Sequence, residues 1–179
     1  EGVIGDPTEV ALMRWALDNG VDAAQIIRQF PRVAEIPFDS RRKRMSTVHQ
    51  TGLEKIVYVK GALESVLPLC THLWQDGRRV ELTTPMRRQI EEAAAQMAGE
   101  ALRVLVLATR TVASLDESQF ETRLCFIGMA GMIDPPKEGV KEAIALAHKA
   151  GIDVVMITGD HPETALAIGR QLGIAQSLA

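Results

Sequence analysis

Phe38, Lys43 and Lys60 are the residues of this chain whose types and spacing point most directly to chemistry. Phe38 opens the run Phe38-Asp39-Ser40-Arg41-Arg42-Lys43-Arg44-Met45-Ser46, and Lys60-Gly61-Ala62 closes the apolar run that follows it. One aromatic ring beside a dense set of cations suits a ligand with a flat base at one end and phosphates at the other. The ring offers a face on which a base stacks for about 1–3 kcal/mol. The ammonium groups offer charge-assisted hydrogen bonds to phosphate oxygens. We read these segments as an adenine nucleotide site. The plainer reading makes Arg41 to Arg44 a solvated turn and Phe38 a core residue, the ordinary fate of an isolated basic run.

A second candidate is Thr158-Gly159-Asp160, which follows Asp153-Val154-Val155-Met156-Ile157 and precedes His161-Pro162-Glu163-Thr164, a helix opening. The C-terminal ends of parallel strands are where α/β sheets bind ligands, so Thr158 and Asp160 are placed for catalysis. A small polar turn before a helix cap accounts for the same residues. Glu9 falls in the first turn of a helix, where a carboxylate complements the dipole and is also placed to accept a hydrogen bond from a ligand amine. Arg103 is a cation at the entrance of an apolar strand, where it caps a sheet edge unless a ligand uses its charge.

These residues need elements to hold them. Gly5-Asp6-Pro7-Thr8-Glu9 opens a helix, with a capping candidate in Asp6 or Thr8 and a proline tolerated in the first turn. Its stripe of Val10, Leu12, Met13, Ala16 and Leu17 stops at Asn19-Gly20. The pattern predicts a short helix from Asp22 to Phe30, a strand from Val33 to Phe38, and a hairpin pairing Arg44–His49 with Lys55–Lys60 across Gln50-Thr51-Gly52. Gly61 is read as a small residue that lets a ligand approach the backbone. A helix over Ala62–Cys70, an Asp76-Gly77 turn and a long helix from Thr83-Thr84-Pro85 to Gly99 follow. Strands over Arg103–Val112 and Leu124–Ile133 are joined by a polar connection, Ser114–Thr122.

Asp134-Pro135-Pro136 then removes two backbone donors and holds the chain extended, a stiff link between units. Beyond it come a helix over Lys137–Lys149, a buried strand over 153–157 and a helix ending at Leu172-Gly173. The fold class is α/β: an antiparallel sheet flanked by helices, then a partial helix-strand-helix unit. The change of character sets the domain boundary at Asp134, dividing 1–133 from 134–179.

At 179 residues, 46% hydrophobic and 24% charged, the composition is that of an ordinary globular protein with a real core. A net charge of -3 argues against a surface built for nucleic acid and makes the arginine cluster a local feature. No apolar run approaches the roughly 20 residues needed to cross a bilayer, so the chain is expected to be soluble, with no signal peptide at its start. Cys70 and Cys125 lack metal-ligand spacing and read as reduced core thiols. The four dispersed histidines make no metal site.

Gly5-Asp6-Pro7-Thr8-Glu9, Phe38 through Ser46, Lys60-Gly61-Ala62, Ala101-Leu102-Arg103, Asp134-Pro135-Pro136 and Thr158-Gly159-Asp160, in this order and spacing, resemble the cytoplasmic nucleotide-binding and phosphorylation domains of P-type cation-transporting ATPases. The likeness covers nearly the whole chain and is closest to the calcium-pump-like branch. It implies that Phe38 stacks on adenine, Glu9 hydrogen-bonds near its amino group and Lys60 lines the base and ribose pocket. Lys43 would reach the pocket or the phosphates, and Arg103 would hold the phosphate tail. Asp134 would lie in the hinge between domains, Thr158 would hydrogen-bond the phosphoryl group, and Asp160 would lie nearby. Animal calcium pumps often carry an arginine where Ser40 stands here, so Arg41 or Arg42 would supply that charge. The resemblance also puts the strand over 124–133 in the antiparallel sheet, where the pattern alone suggests a βαβ unit with 153–157.

The implied ligands are ATP and Mg²⁺, and the implied partners are the actuator and transmembrane parts of a pump at the cytoplasmic face of a membrane. The chain has no Asp-Lys-Thr-Gly-Thr, Thr-Gly-Glu or Gly-Asp-Gly-x-Asn-Asp segment. It is therefore expected to be a piece that starts inside the nucleotide domain and cannot complete phosphoryl transfer by itself. Two other classes stay open: a non-catalytic nucleotide-binding module and a haloacid-dehalogenase-like phosphatase, the latter requiring an Asp-x-Asp motif that the sequence lacks. The transported ion is not legible.

Overall fold

A computed structural model describes residues 6–100, 102–133, 137–158 and 162–174. The first helix, α1 (Pro7–Asp18), starts where the Asp6 carboxylate accepts the Thr8 amide, and α2 (Ala23–Gln29) repeats the device with Asp22 and Gln25. Each cap satisfies one of the amides that a helix start leaves without an intrahelical partner. The strands that follow are β1 (Arg32–Asp39), β2 (Arg44–Thr51) and β3 (Glu54–Gly61). The β2–β3 hairpin closes over Gly52, whose φ of 62° is the left-handed conformation the turn requires.

Between β3 and the long helix the pattern reading needs correction. Only Leu63–Val66 (α3) is α-helical; a 3₁₀ turn, Leu67–Leu69, follows, and Cys70–Gln75 is a strand, β4. The Asp76-Gly77 turn joins it to β5 (Arg78–Glu81), so the turn predicted from sequence sits inside a hairpin whose strands the pattern did not show. Next come α4 (Thr84–Gly99), β6 (Arg103–Val112), α5 (Glu117–Phe120) and β7 (Leu124–Met132). The seven strands form one sheet in the order β1-β2-β3-β6-β7-β4-β5. All neighbours are antiparallel except β4 and β7. The strand over 124–133 therefore belongs to this sheet, as the family resemblance implied and the pattern alone did not.

Alternation decides what each face buries. Val48, Val57, Val59, Val106 and Ala108 point to one face, where Val66, Leu67, Phe120 and Leu124 complete the core and Met86 and Ile90 of α4 pack against it. Each fully buried Val, Leu or Phe contributes about 1.5–3 kcal/mol relative to exposure. Arg87 ties α4 to this layer by donating to the Leu67 carbonyl at 2.7 Å and to the Cys70 carbonyl. Cys70 and Cys125 are buried free thiols, and burial pushes the Cys70 thiol up to about 12.

Beyond the sheet, α6 (Val140–Lys149) and α7 (Pro162–Leu172) form, with α7 packed against α4 and α6. The expected strand over 153–157 does not form: residues 152–158 are irregular, with Val155 79% and Ile157 94% exposed. A strand needs a ladder partner for its amides and carbonyls, and no described strand runs beside this segment. The Asp134-Pro135-Pro136 link lies outside the described residues.

Candidate functional site

On the face of the sheet opposite the core lies a hollow of ≈ 290 Å³. Met45 and Thr47 of β2, Tyr58 and Lys60 of β3, and Leu107 of β6 line it, and Glu9 of α1 closes one side. The lining follows from register: Met45 pairs with Lys60, Thr47 with Tyr58, and Lys60 with Leu107, so these side chains fall in one patch. The Glu9 carboxylate accepts a hydrogen bond from the Lys60 ammonium, which brings together two candidates 51 positions apart in sequence. The size is at the lower end for small-molecule pockets.

Phe38 enters through an irregularity in β1. Ile36 pairs with Ser46 and Asp39 with Arg44, so Pro37 and Phe38 both stand opposite the single residue Met45. That extra residue is a β-bulge, a device that re-aims side chains at sheet edges and functional sites. The Phe38 ring is 63% exposed, which excludes the plainer reading that made it core. It stands beside Met45, one of the residues lining the hollow.

The basic run then divides by partner. Asp39 accepts the amides of Arg41 and Arg42 at 2.8 and 2.9 Å, which closes the turn. Those backbone amides, Arg42 first, hold the Asp39 carboxyl below its ordinary range. Lys43 takes the left-handed conformation, φ 51°, and its ammonium donates to Glu64 of α3 at 2.8 Å. The Glu64 hydrogen bond raises Lys43 and lowers Glu64. Lys43 is thus turned to α3 and does not line the hollow. Arg42 and Arg44 both donate to Glu121, at 2.8 and 2.7 Å. Arg41 is exposed, and its guanidinium has no partner among the described residues.

Gly61 packs against the same turn. A Cβ there would lie 2.5 Å from both the Lys43 carbonyl oxygen and the Arg44 Cβ. The close approach expected of a ligand at this glycine is made by the neighbouring strand instead.

Arg103 begins β6, three positions before Val106, which pairs with Gly61; Arg103 itself pairs with Met132. It therefore stands at the sheet end that carries Phe38 and the basic turn, and alternation puts it on the Leu107 face. Thr158 is exposed at the end of the irregular 152–158 segment and does not line the hollow. Asp160 lies outside the described residues.

Sequence reasoning missed Glu121. It sits in the stretch read as a polar connection, yet it is 9% exposed and faces Ser46, which is fully buried. Burial pushes its carboxyl up, but the Ser46 hydroxyl, at 2.7 Å, with Arg44 and Arg42, outweighs burial and holds it below the ordinary range. The signal available was Phe120 beside it, an aromatic residue in a connection that is polar apart from Leu115.

A family model described as P-type ATPase, cytoplasmic domain N, matches residues 1–139. The chain belongs to that P-type ATPase family. It is 44% identical to calcium-transporting ATPase 1 of Bacillus cereus over 180 residues, which is 99% of this chain and 20% of that protein. It is 44% identical to a cation-transporting ATPase of Synechocystis sp. over 178 residues, 97% of this chain and 19% of that protein. Identity to human calcium-transporting ATPase type 2C member 1 is 38% over 176 residues, 96% of this chain and 18% of that protein. The chain thus spans about a fifth of the length of these P-type ATPases. No helix among the described residues is long and apolar enough to cross a membrane.

Proposed function

We propose that this chain is the ATP-binding cytoplasmic part of a cation-transporting P-type ATPase, with 1–133 holding the nucleotide and 134–179 beginning the unit that receives the phosphoryl group. One observation carries the reading: a β-bulge presents an exposed aromatic ring opposite Met45, and Met45 lines the hollow that contains the Glu9–Lys60 pair, although Phe38 itself does not line it. In this reading the adenine enters the hollow with Phe38 against its face. Lys60 and Glu9 are the polar groups beside it, and binding redistributes their mutual hydrogen bond toward base and ribose.

The triphosphate then lies over the cationic end of the sheet. Arg103 and the unpartnered Arg41 are the side chains open to it. Arg42, consumed by Glu121, is not, so Arg41 supplies the charge left open at Ser40. Lys43 reaches phosphate only by leaving Glu64, an exposed ion pair worth little to stability. This edge suits phosphate oxygens; Mg²⁺ held by the phosphates themselves supplies charge neutralisation in the transfer.

The chemical contribution of these residues is positioning. They fix the base so that the γ-phosphate meets an aspartate outside this chain when the two units close across Asp134-Pro135-Pro136. Thr158 and Asp160 act at the phosphoryl group once the 153–157 segment gains a strand partner elsewhere in the pump. Calorimetric titration of this chain with ATP tests the base contact. Phe38→Ala is expected to weaken binding by about 5- to 150-fold, the loss of one stacking contact. Unchanged affinity would remove the ring from the site.

A further inference from the structure

Glu121 is the one strongly buried carboxylate among the described residues, and it ties β2 to the turn that precedes it. Its Oε1 accepts from the Ser46 hydroxyl at 2.7 Å, and its Oε2 accepts from both Arg42 Nη1 and Arg44 Nε at 2.8 and 2.7 Å. The other arm of the Arg42 guanidinium donates to the Pro37 carbonyl at 3.1 Å. Pro37 is the first residue of the bulge, and Phe38 is the second. A chain of two hydrogen-bonded links therefore runs from Glu121 through Arg42 to the backbone that presents the exposed ring.

The remaining turn contacts do not replace this link. Asp39 fixes the amides of Arg41 and Arg42, and Ala62 and Ser65 hold the Lys43 carbonyl at 2.9 and 3.3 Å. None of these reaches Pro37. An edge strand with a bulge is otherwise paired on one side only, so its backbone has freedom to shift unless a side chain pins it. A planar guanidinium bridging a carboxylate and a carbonyl pins it in a way a single flexible ammonium does not.

We infer that Glu121 is a positioning residue for nucleotide binding, acting through Arg42 on the Pro37–Phe38 bulge to hold the ring against the base. This rests on the nucleotide reading proposed above. Glu121 itself does not touch the nucleotide, and Arg42 serves the ring instead of the phosphates.

The test is a mutant cycle on this chain, with ATP affinity from calorimetry and stability from thermal unfolding, both at a temperature where circular dichroism shows the variant folded. Glu121→Gln and Arg42→Ala are each expected to weaken ATP about fivefold or more, a share of the stacking energy. In the Phe38→Ala background neither is expected to weaken ATP further, while their losses of stability persist. A purely structural carboxylate predicts the opposite: the affinity loss remains when the ring is gone. That result, or unchanged affinity in Arg42→Ala, overturns the inference. Arg42 is only half-buried, so its variant carries the test even where Glu121→Gln does not fold. Should Phe38→Ala alone leave ATP affinity unchanged, the nucleotide reading itself fails, an outcome separate from failure of the link to Glu121.

Discussion

Two stretches of this chain carry similar apolar runs, and their outcomes differ. Ile56-Val57-Tyr58-Val59 lies between β2 and β6, with Val57 and Val59 at 0% and 1% exposure. Asp153-Val154-Val155-Met156-Ile157 forms no strand and leaves Val155 and Ile157 in solvent. Local composition is nearly the same in the two. The difference is neighbours: β3 has a ladder on both sides and α3 packed against it, whereas the later run has no strand beside it among the described residues. Strand preference is a property of the packed, paired environment more than of the residues alone.

Mutations sharpen this contrast in order of expected size. Glu121→Ala leaves Arg42 and Arg44 half-buried without their acceptor and should cost about 3–5 kcal/mol. Urea unfolding measures it, and a loss below about 1 kcal/mol, the range of exposed pairs, would show that the cluster is solvated. Gly61→Ala forces a methyl group into the Lys43–Arg44 backbone and should cost about 2–3 kcal/mol by overpacking. A wild-type midpoint in that variant would contradict the close strand approach. Val57→Ala should cost about 2 kcal/mol through lost burial and cavity formation.

The acid side gives a smaller effect. The Glu121 carboxyl is held below its ordinary range in the fold. The stability it contributes is therefore fully present above its unfolded value, about 4.3, and is lost as pH falls through the lower folded value. Between neutral pH and pH below about 4, wild type should lose more stability than Glu121→Gln, measured by urea midpoints; parallel curves would assign the acid response to other carboxylates. Smallest of all, Ile157→Ala should change stability by less than about 0.5 kcal/mol, because that side chain is already in water. Hydrogen exchange offers an independent view: amides of β3 and β6 should be protected and those of 152–158 should exchange fast.

The sequence by itself determined much of the frame. The starts of the first two helices, the β2–β3 hairpin, the Asp76-Gly77 turn, α4 and β6 were all legible, because each rests on local residue chemistry and short periodicity, although the first cap stood open between Asp6 and Thr8. Residue type alone named Phe38, Lys60, Glu9 and Arg103 as candidates, whereas the family was legible from the order of short motifs. Tertiary structure alone decided which of them meet. It joined Glu9 to Lys60, turned Lys43 to Glu64, and gave Arg42 and Arg44 to a glutamate from a stretch the sequence marks as a connection. It also added β4 and β5 and withheld the strand at 153–157. Contacts between residues tens of positions apart depend on sheet register and on which partners are within reach. Neither leaves a mark in a local stretch of sequence.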